Sequence, residues 1–238
     1  MTDLITTATT REEAERAATV AVLPVGSFEQ HGDHLPLTTD TIVASVIARD
    51  VARRYPVMAL PPITISCSHE HAAWRGTVSI SATTLHQVVT DIAGSLSASG
   101  VERLVLVSGH GGNYVLHNVA QEASVHGPRI AVFPTASDWA RARTEAGMQT
   151  SSHEDMHAGE LETSILLATC PEVVRSAREA ADWLADDRPY LLTLGMAGYT
   201  RSGVIGRPSL GTAAKGVAAL DSLVRSFEPL YALLTQAS

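Results

Sequence analysis

Short apolar runs rich in β-branched residues alternate along this chain with stretches of helical periodicity, and that alternation is its strongest constraint. "TVAVLPV" (Thr19 to Val25) and "RLVLVS" read as buried strands, and "VMALPPITI", stopped by Pro61 and Pro62, and "RIAVFP" as further strands. "TVSI" (Thr77 to Ile80) reads as a short edge strand. Between the strands, Ile42, Val43, Val46, Ile47 and Val51 share one helical face behind Asp40, which reads as a helix N-cap. Leu85, Val88, Val89, Ile92 and Leu96 share another behind Ser81, closed by Gly100. Further helices are expected from about Asn113 to Val125 and after Ser137, with a helical C-terminus whose Leu220, Leu223, Val224, Phe227 and Leu230 pack into the core. Strands alternating with helices predict an α/β fold with a mostly parallel central sheet covered on both faces. Sites in such sheets form beyond the carboxyl ends of the strands. "SFEQHGDH" and "GHGGN" both fall there, distant in sequence and expected to meet in space.

The 238 residues, 45% hydrophobic and 18% charged, suit one globular domain over residues 1–238. A net charge of -8 argues against nucleic-acid or anionic-membrane partners, which call for clustered Lys and Arg. The N-terminal stretch has neither a basic start nor an apolar run, and no segment is long and apolar enough to span a membrane. Cys67 and Cys170 are too few for a disulfide framework. A cytoplasmic enzyme acting on a small-molecule substrate is the expectation.

Chemistry-bearing residues concentrate in four places. Glu29, His31, His34 and Asp40 follow the first strand. Glu29 and His31, one residue apart in an extended segment, point the same way. Asp40 alone would be an ordinary helix cap; with the other three it suggests a metal site in which its two oxygens bridge two cations. His110 stands at the tip of "RLVLVS", where Gly111 and Gly112, with Asn113 beside them, let backbone approach a ligand. "SCSHEHAAW" supplies Glu70 as a catalytic candidate, His71 and Trp74 as substrate neighbours, and a Cys67 without an activating partner. "HEDMHAGELETS" supplies His157 and Glu160, which share a face if the helix has begun, and Glu162, expected to point elsewhere. Glu29, His31, Asp40, His110 and Glu160 form the inventory for two adjacent divalent metals bridged by a carboxylate and a hydroxide. Mixed N and O ligands favour Zn, Mn or Fe. Such a centre lowers the pKa of water and polarises a carbonyl, which suits hydrolysis of an amide-like C–N bond, with His157 carrying the proton to the leaving nitrogen. No G-x-S-x-G elbow, G-x-G-x-x-G fingerprint or P-loop is present.

In order, "LPVGSFEQHGDHLPLTTDT", "SCSHEHAAWRGTVSI", "VSGHGGN", "MHAGELETS" and "GVIGRPSLGTAAKG" resemble the creatininase (creatinine amidohydrolase) family. The resemblance implies a three-layer α/β/α sandwich, two divalent metal ions per subunit, and a homo-oligomer, either a dimer or a hexamer built as a trimer of dimers. It carries metal roles to Glu29, His31, Asp40 and His110, with Asp40 bridging, and proton transfer to His157. Creatininase proper takes its last acidic ligand two residues after the histidine, a place held here by Gly112. Glu160 of "HAGE" looks like the replacement, with Glu162 in reserve. The "GHGGN" branch includes deformylases of formamidopyrimidine nucleotides and the peptidase-like enzyme of mycofactocin maturation. Hydrolysis of a non-peptide amide, formamide or cyclic amide leads the expectations, a formamidopyrimidine deformylase among them, because Arg75 or Arg207 is positioned in sequence to meet an anionic group. Creatinine amidohydrolase, the mycofactocin-type peptidase with its broader open groove, and a non-catalytic metal-binding protein on the same fold are the alternatives.

Overall fold

The computed structural model describes residues 4–127 and 129–236. In chain order the helices and strands are α1 (Thr10–Arg16), β1 (Val20–Val25), α2 (Thr39–Arg54), β2 (Met58–Ala59), α3 (Ala82–Ala98), β3 (Arg103–Ser108), α4 (Val115–Ala123), β4 (Ile130–Phe133), α5 (Ala136–Glu145), α6 (Glu160–Thr169), α7 (Leu191–Leu194), α8 (Ala213–Ser226) and α9 (Glu228–Gln236). Among the described residues the sheet has the order β2-β1-β3-β4, with every neighbouring pair parallel.

Strand alternation divides the core into two. Val20 and Val22 of β1 and Val105 and Val107 of β3 face one cluster, packed by Ile42, Val43, Val46 and Ile47 of α2, Ile165 and Leu166 of α6, and Leu220 and Leu223 of α8. Ala21, Leu23, Leu104 and Leu106 face the other, packed by Leu85, Val89 and Leu96 of α3 and Leu116 and Val119 of α4. Each such Leu, Ile or Val contributes about 1.5–3 kcal/mol by leaving water. This is the three-layer α/β/α sandwich.

The proline stop in the second strand is met, and two other local expectations are corrected. "VMALPPITI" runs beside β1 but only Met58–Ala59 forms a regular ladder, because Pro61 and Pro62 have no N–H to give. Its pairing resumes where Ile63 N–H donates to the Pro24 carbonyl at 2.9 Å. "TVSI" is no strand: Val78 makes a single antiparallel bridge to Phe28. Thr38, not Asp40, is the N-cap of α2, which places Asp40 within the first helical turn, where exposed N–H dipoles favour its negative charge.

Candidate metal centre

β1 and β3 end side by side, Val25 against Ser108. The first turn of α2 lies directly over both ends: a Cβ at Gly109 would overlap the carbonyl oxygen of Asp40. This close approach carries Asp40 between the loops that follow the two strands. The segment holding His157 is anchored separately, by reciprocal backbone hydrogen bonds between His157 and Ile205 at 2.9 and 3.0 Å.

Two histidines are oriented by backbone carbonyls, which only accept hydrogen bonds. His31 Nδ1–H donates to the Glu29 carbonyl at 3.1 Å, and His110 Nε2–H donates to the Cys67 carbonyl at 2.9 Å. Their other nitrogens therefore turn lone pairs inward, and both meet carboxylates. His31 Nε2 is 3.1 Å from Asp40 Oδ1 and 3.9 Å from Glu162 Oε1. His110 Nδ1 is 3.2 Å from both Asp40 Oδ2 and Glu29 Oε1. Ser27 Oγ donates to Asp40 Oδ2 at 2.7 Å, and Ala158 N–H donates to Glu162 Oε2 at 2.6 Å, holding both carboxylates in place. A lone pair facing a carboxylate oxygen at 3.1–3.2 Å needs a cation between them, either a proton or a metal.

The electrostatics show what protons alone must do here. Burial pushes Glu29 up to about 8, although His110 beside it pulls the other way. Burial would also raise Asp40, but the charges of His31 and His110 prevail and hold it well below the usual carboxylate range. His31 and His110 are raised well above the ordinary histidine value, the neighbouring carboxylates overcoming the effect of burial. Glu29 is fully buried, and neither of its oxygens has a hydrogen bond of regular geometry, with only the ring nitrogens of His71 and His110 standing 3.2 Å from Oε1. That orphaned carboxylate is the observation that fits a metal best.

Glu29, Asp40 and His110 converge on one candidate ion position, and His31, Asp40 and Glu162 on a second. Asp40 is common to both and offers a different oxygen to each histidine, so the donor set suits two ions sharing one carboxylate. A third grouping, Glu29, His31 and His157, draws on the same Glu29 and His31. Nitrogen and oxygen donors without thiolate fit Zn, Mn or Fe.

The expectation for Glu160 is corrected. Its carboxylate accepts hydrogen bonds from Gln149 N–H, Thr150 N–H, Thr150 Oγ1 and Lys215 Nζ, and faces away from the cluster. Glu162, the reserve candidate, lies beside His31 instead. The two are indeed turned apart on α6, and His157 lies ahead of the helix, so the three-residue spacing to Glu160 puts no shared face between them. His34 is buried with Nε2 3.0 Å from the Ala158 carbonyl and belongs to none of the candidate ion positions. His157 Nε2 donates to the Gln30 carbonyl at 2.7 Å, and its ring is pushed down to about 4 by burial and then by the charge of His31.

Asp40, Glu70, His71, His110, His157 and Glu162 line a cavity of about 110 Å³. Glu70 lies there with Oε1 3.4 Å from His110 Nε2. Burial would raise its carboxyl, but the His110 contact outweighs that and lowers it. A Cβ at Gly112 would overlap Glu70 Oε1 and His110 Nε2, so the glycine makes room for the glutamate. Asn113 gives its side chain to backbone, accepting from Cys67 N–H at 3.2 Å and donating to the Gly26 carbonyl at 3.4 Å. Trp74 lines neither this cavity nor its neighbour. The neighbour, of about 420 Å³, is walled by Val43, Val132, Pro134, Trp139, Leu161 and Ile165, and shares His110, Gly111, Met156 and Glu162 with the first. Arg75 and Arg207 line neither cavity, and Arg207 sits 3.5 Å from Asp182, so neither brings a cation to the site. Arg143 does border the larger cavity, but it is paired with Asp155 at 2.8 Å.

Comparison with known proteins agrees with this architecture. The family model described as "Creatininase: Creatinine amidohydrolase" matches residues 5–230, and the chain belongs to that family. It is 36% identical over 208 residues to a mycofactocin precursor peptide peptidase of Mycobacterium ulcerans, covering 82% of this chain and 77% of the relative. It is 28% identical over 171 residues to a creatinine amidohydrolase of Pseudomonas putida, covering 65% and 66%. Among solved structures, a creatininase variant in a Zn–Zn form superimposes with a TM-score of 0.78 at 25% identity, over 95% of each chain. The chain is thus a creatininase-family hydrolase acting on carbon–nitrogen bonds.

Proposed function

We propose that this chain is a dinuclear, metal-dependent peptidase that hydrolyses an amide C–N bond in a peptide-like substrate. The observation that carries the reading is Asp40, whose two oxygens each face a different histidine beneath an accessible cavity. Glu29, Asp40 and His110 would hold one ion, and His31, Asp40 and Glu162 the other. Ions bound there would supply Lewis acidity and a water of lowered pKa. His157, neutral at pH 7, accepts a proton from the attacking water at Nδ1 and returns it to the leaving nitrogen. Glu70, ionised and lining the same cavity, accepts a hydrogen bond from the nitrogen side of the substrate.

A peptide is favoured over a small amide for two reasons. The cavity over the centre adjoins a larger, mainly apolar one across His110, Gly111, Met156 and Glu162, which gives an extended substrate somewhere to lie. The relative from Mycobacterium ulcerans is named as a precursor peptidase. The formamidopyrimidine reading needed an arginine free to meet an anion, and Arg75 and Arg207 do not fill that role. The test is to incubate zinc- or manganese-loaded protein with short peptides, formamides, cyclic amides and creatinine, and to identify products by mass spectrometry. Chelator-sensitive cleavage of a peptide is expected. Turnover confined to formamides or cyclic amides would contradict the peptidase reading while leaving the metal centre standing.

A further inference from the structure

Gln30 stands between two of the proposed ligands, and its side chain is buried. Its amide is clamped by two backbone groups of fixed polarity. Oε1 accepts from Gly32 N–H at 3.0 Å, and Nε2 donates to the Gly203 carbonyl at 3.1 Å. A backbone N–H only donates and a carbonyl only accepts, so the orientation of the amide follows without ambiguity. The loop is shaped around it: Gly203 has a φ of 87°, and a Cβ there would overlap the amide oxygen.

The second hydrogen on Gln30 Nε2 points to His71 Nδ1 at 2.9 Å. That nitrogen must be an acceptor, which puts the His71 proton on Nε2, 3.2 Å from Glu29 Oε1. The carbonyl of the same Gln30 takes the Nε2 proton of His157 at 2.7 Å, leaving His157 Nδ1 bare and 3.8 Å from Glu29 Oε1. With both amide hydrogens committed, the 3.1 Å between Gln30 Nε2 and His157 Nε2 is proximity alone.

We infer that Gln30 is a positioning residue that sets the tautomers of His71 and His157, so that one ring turns an N–H and the other a lone pair toward Glu29. The inference deepens the proposed function, since it rests on His157 as the proton carrier of that site. One residue thereby makes two neighbouring rings, 4.4 Å apart between centroids, chemically unequal.

The tautomers are read by long-range ¹H–¹⁵N NMR on zinc-loaded protein with ¹⁵N-labelled histidine, the two rings being assigned by the signals lost in His71→Gln and His157→Ala. Both rings are expected to carry the proton on Nε2. A proton on Nδ1 of either ring in the wild type overturns the inference, and this spectrum decides even where a Gln30 variant fails to fold or to hold zinc. Gln30→Glu sets an acceptor opposite His71 Nδ1. It should move a proton onto that nitrogen and leave His157, held by the backbone, unchanged. kcat should fall about 10–100-fold with KM within about two-fold, as for loss of an outer partner of a metal site. His71 keeping a bare Nδ1 in Gln30→Glu also overturns the inference. Because the spectrum needs no substrate, the expected tautomers in a protein that cleaves no peptide would count against the proposed function alone.

Discussion

Ser27 Oγ, His31 Nε2 and His110 Nδ1 converge on the two oxygens of Asp40, and this convergence organises the whole site. The side chains of the site were legible from residue type: Glu29, His31 and His110 are set just past apolar strands, Asp40 at a helix start, and His157 in the acid- and histidine-rich "HEDMHAGELETS". Gln30 was not, because a glutamine between two ligand candidates in an extended segment reads as pointing away from them. Its role depends on Gly203, far along the chain, which no local pattern connects to it. At this scale His157→Ala separates ligand from proton carrier. The account expects metal content unchanged and hydrolysis reduced about 10²–10⁴-fold. Loss of metal from the variant would make His157 a ligand and favour the Glu29, His31 and His157 grouping.

α6 shows how one turn of helix assigns different work to two glutamates. Successive residues turn about 100°, so Glu160 and Glu162 point in nearly opposite directions. The sequence pattern shows that divergence but not which side faces the histidine cluster, since that depends on where α8 brings Lys215. Glu160 ends up tied to Lys215 and to the backbone of Gln149 and Thr150, while Glu162 faces His31. Glu162→Gln should weaken metal binding with little change in folding. Glu160→Gln should keep the metal and lower stability by about 3 kcal/mol at pH 7, the cost of removing one partner from a buried pair. Burial opposes the ionised form of Glu160, but Lys215 and Thr150 overcome it and lower its pKa below the ordinary 4.5. A carboxylate with a lowered folded pKa stabilises above its unfolded pKa, and that stability is lost as pH falls through the folded value. The difference in melting temperature between wild type and Glu160→Gln should therefore shrink as pH falls below about 4.5. A constant difference from pH 7 to pH 3 would contradict the ion-pair assignment.

The sandwich as a whole was legible because strand and helix periods alternate cleanly, and the two faces of β1 and β3 fill separate cores as that pattern requires. Shorter features were less so. Pro61 and Pro62 signalled the stop of β2 but not its shortening to two residues, and "TVSI" lacks neighbours that would make a strand of it. The extent of the cleft was invisible in sequence, being formed by α5 and α6 closing over the end of β4 beside the centre. Among the described residues no helix is long and apolar enough to cross a membrane. What the whole molecule assembles, in this account, is two ion positions joined by one carboxylate. The most direct test is metal analysis of wild type and Asp40→Asn after reconstitution with zinc or manganese. The account predicts about two equivalents per chain in the wild type and loss of both together in the variant. A variant that keeps one full equivalent, or a wild type that takes up none, would contradict it.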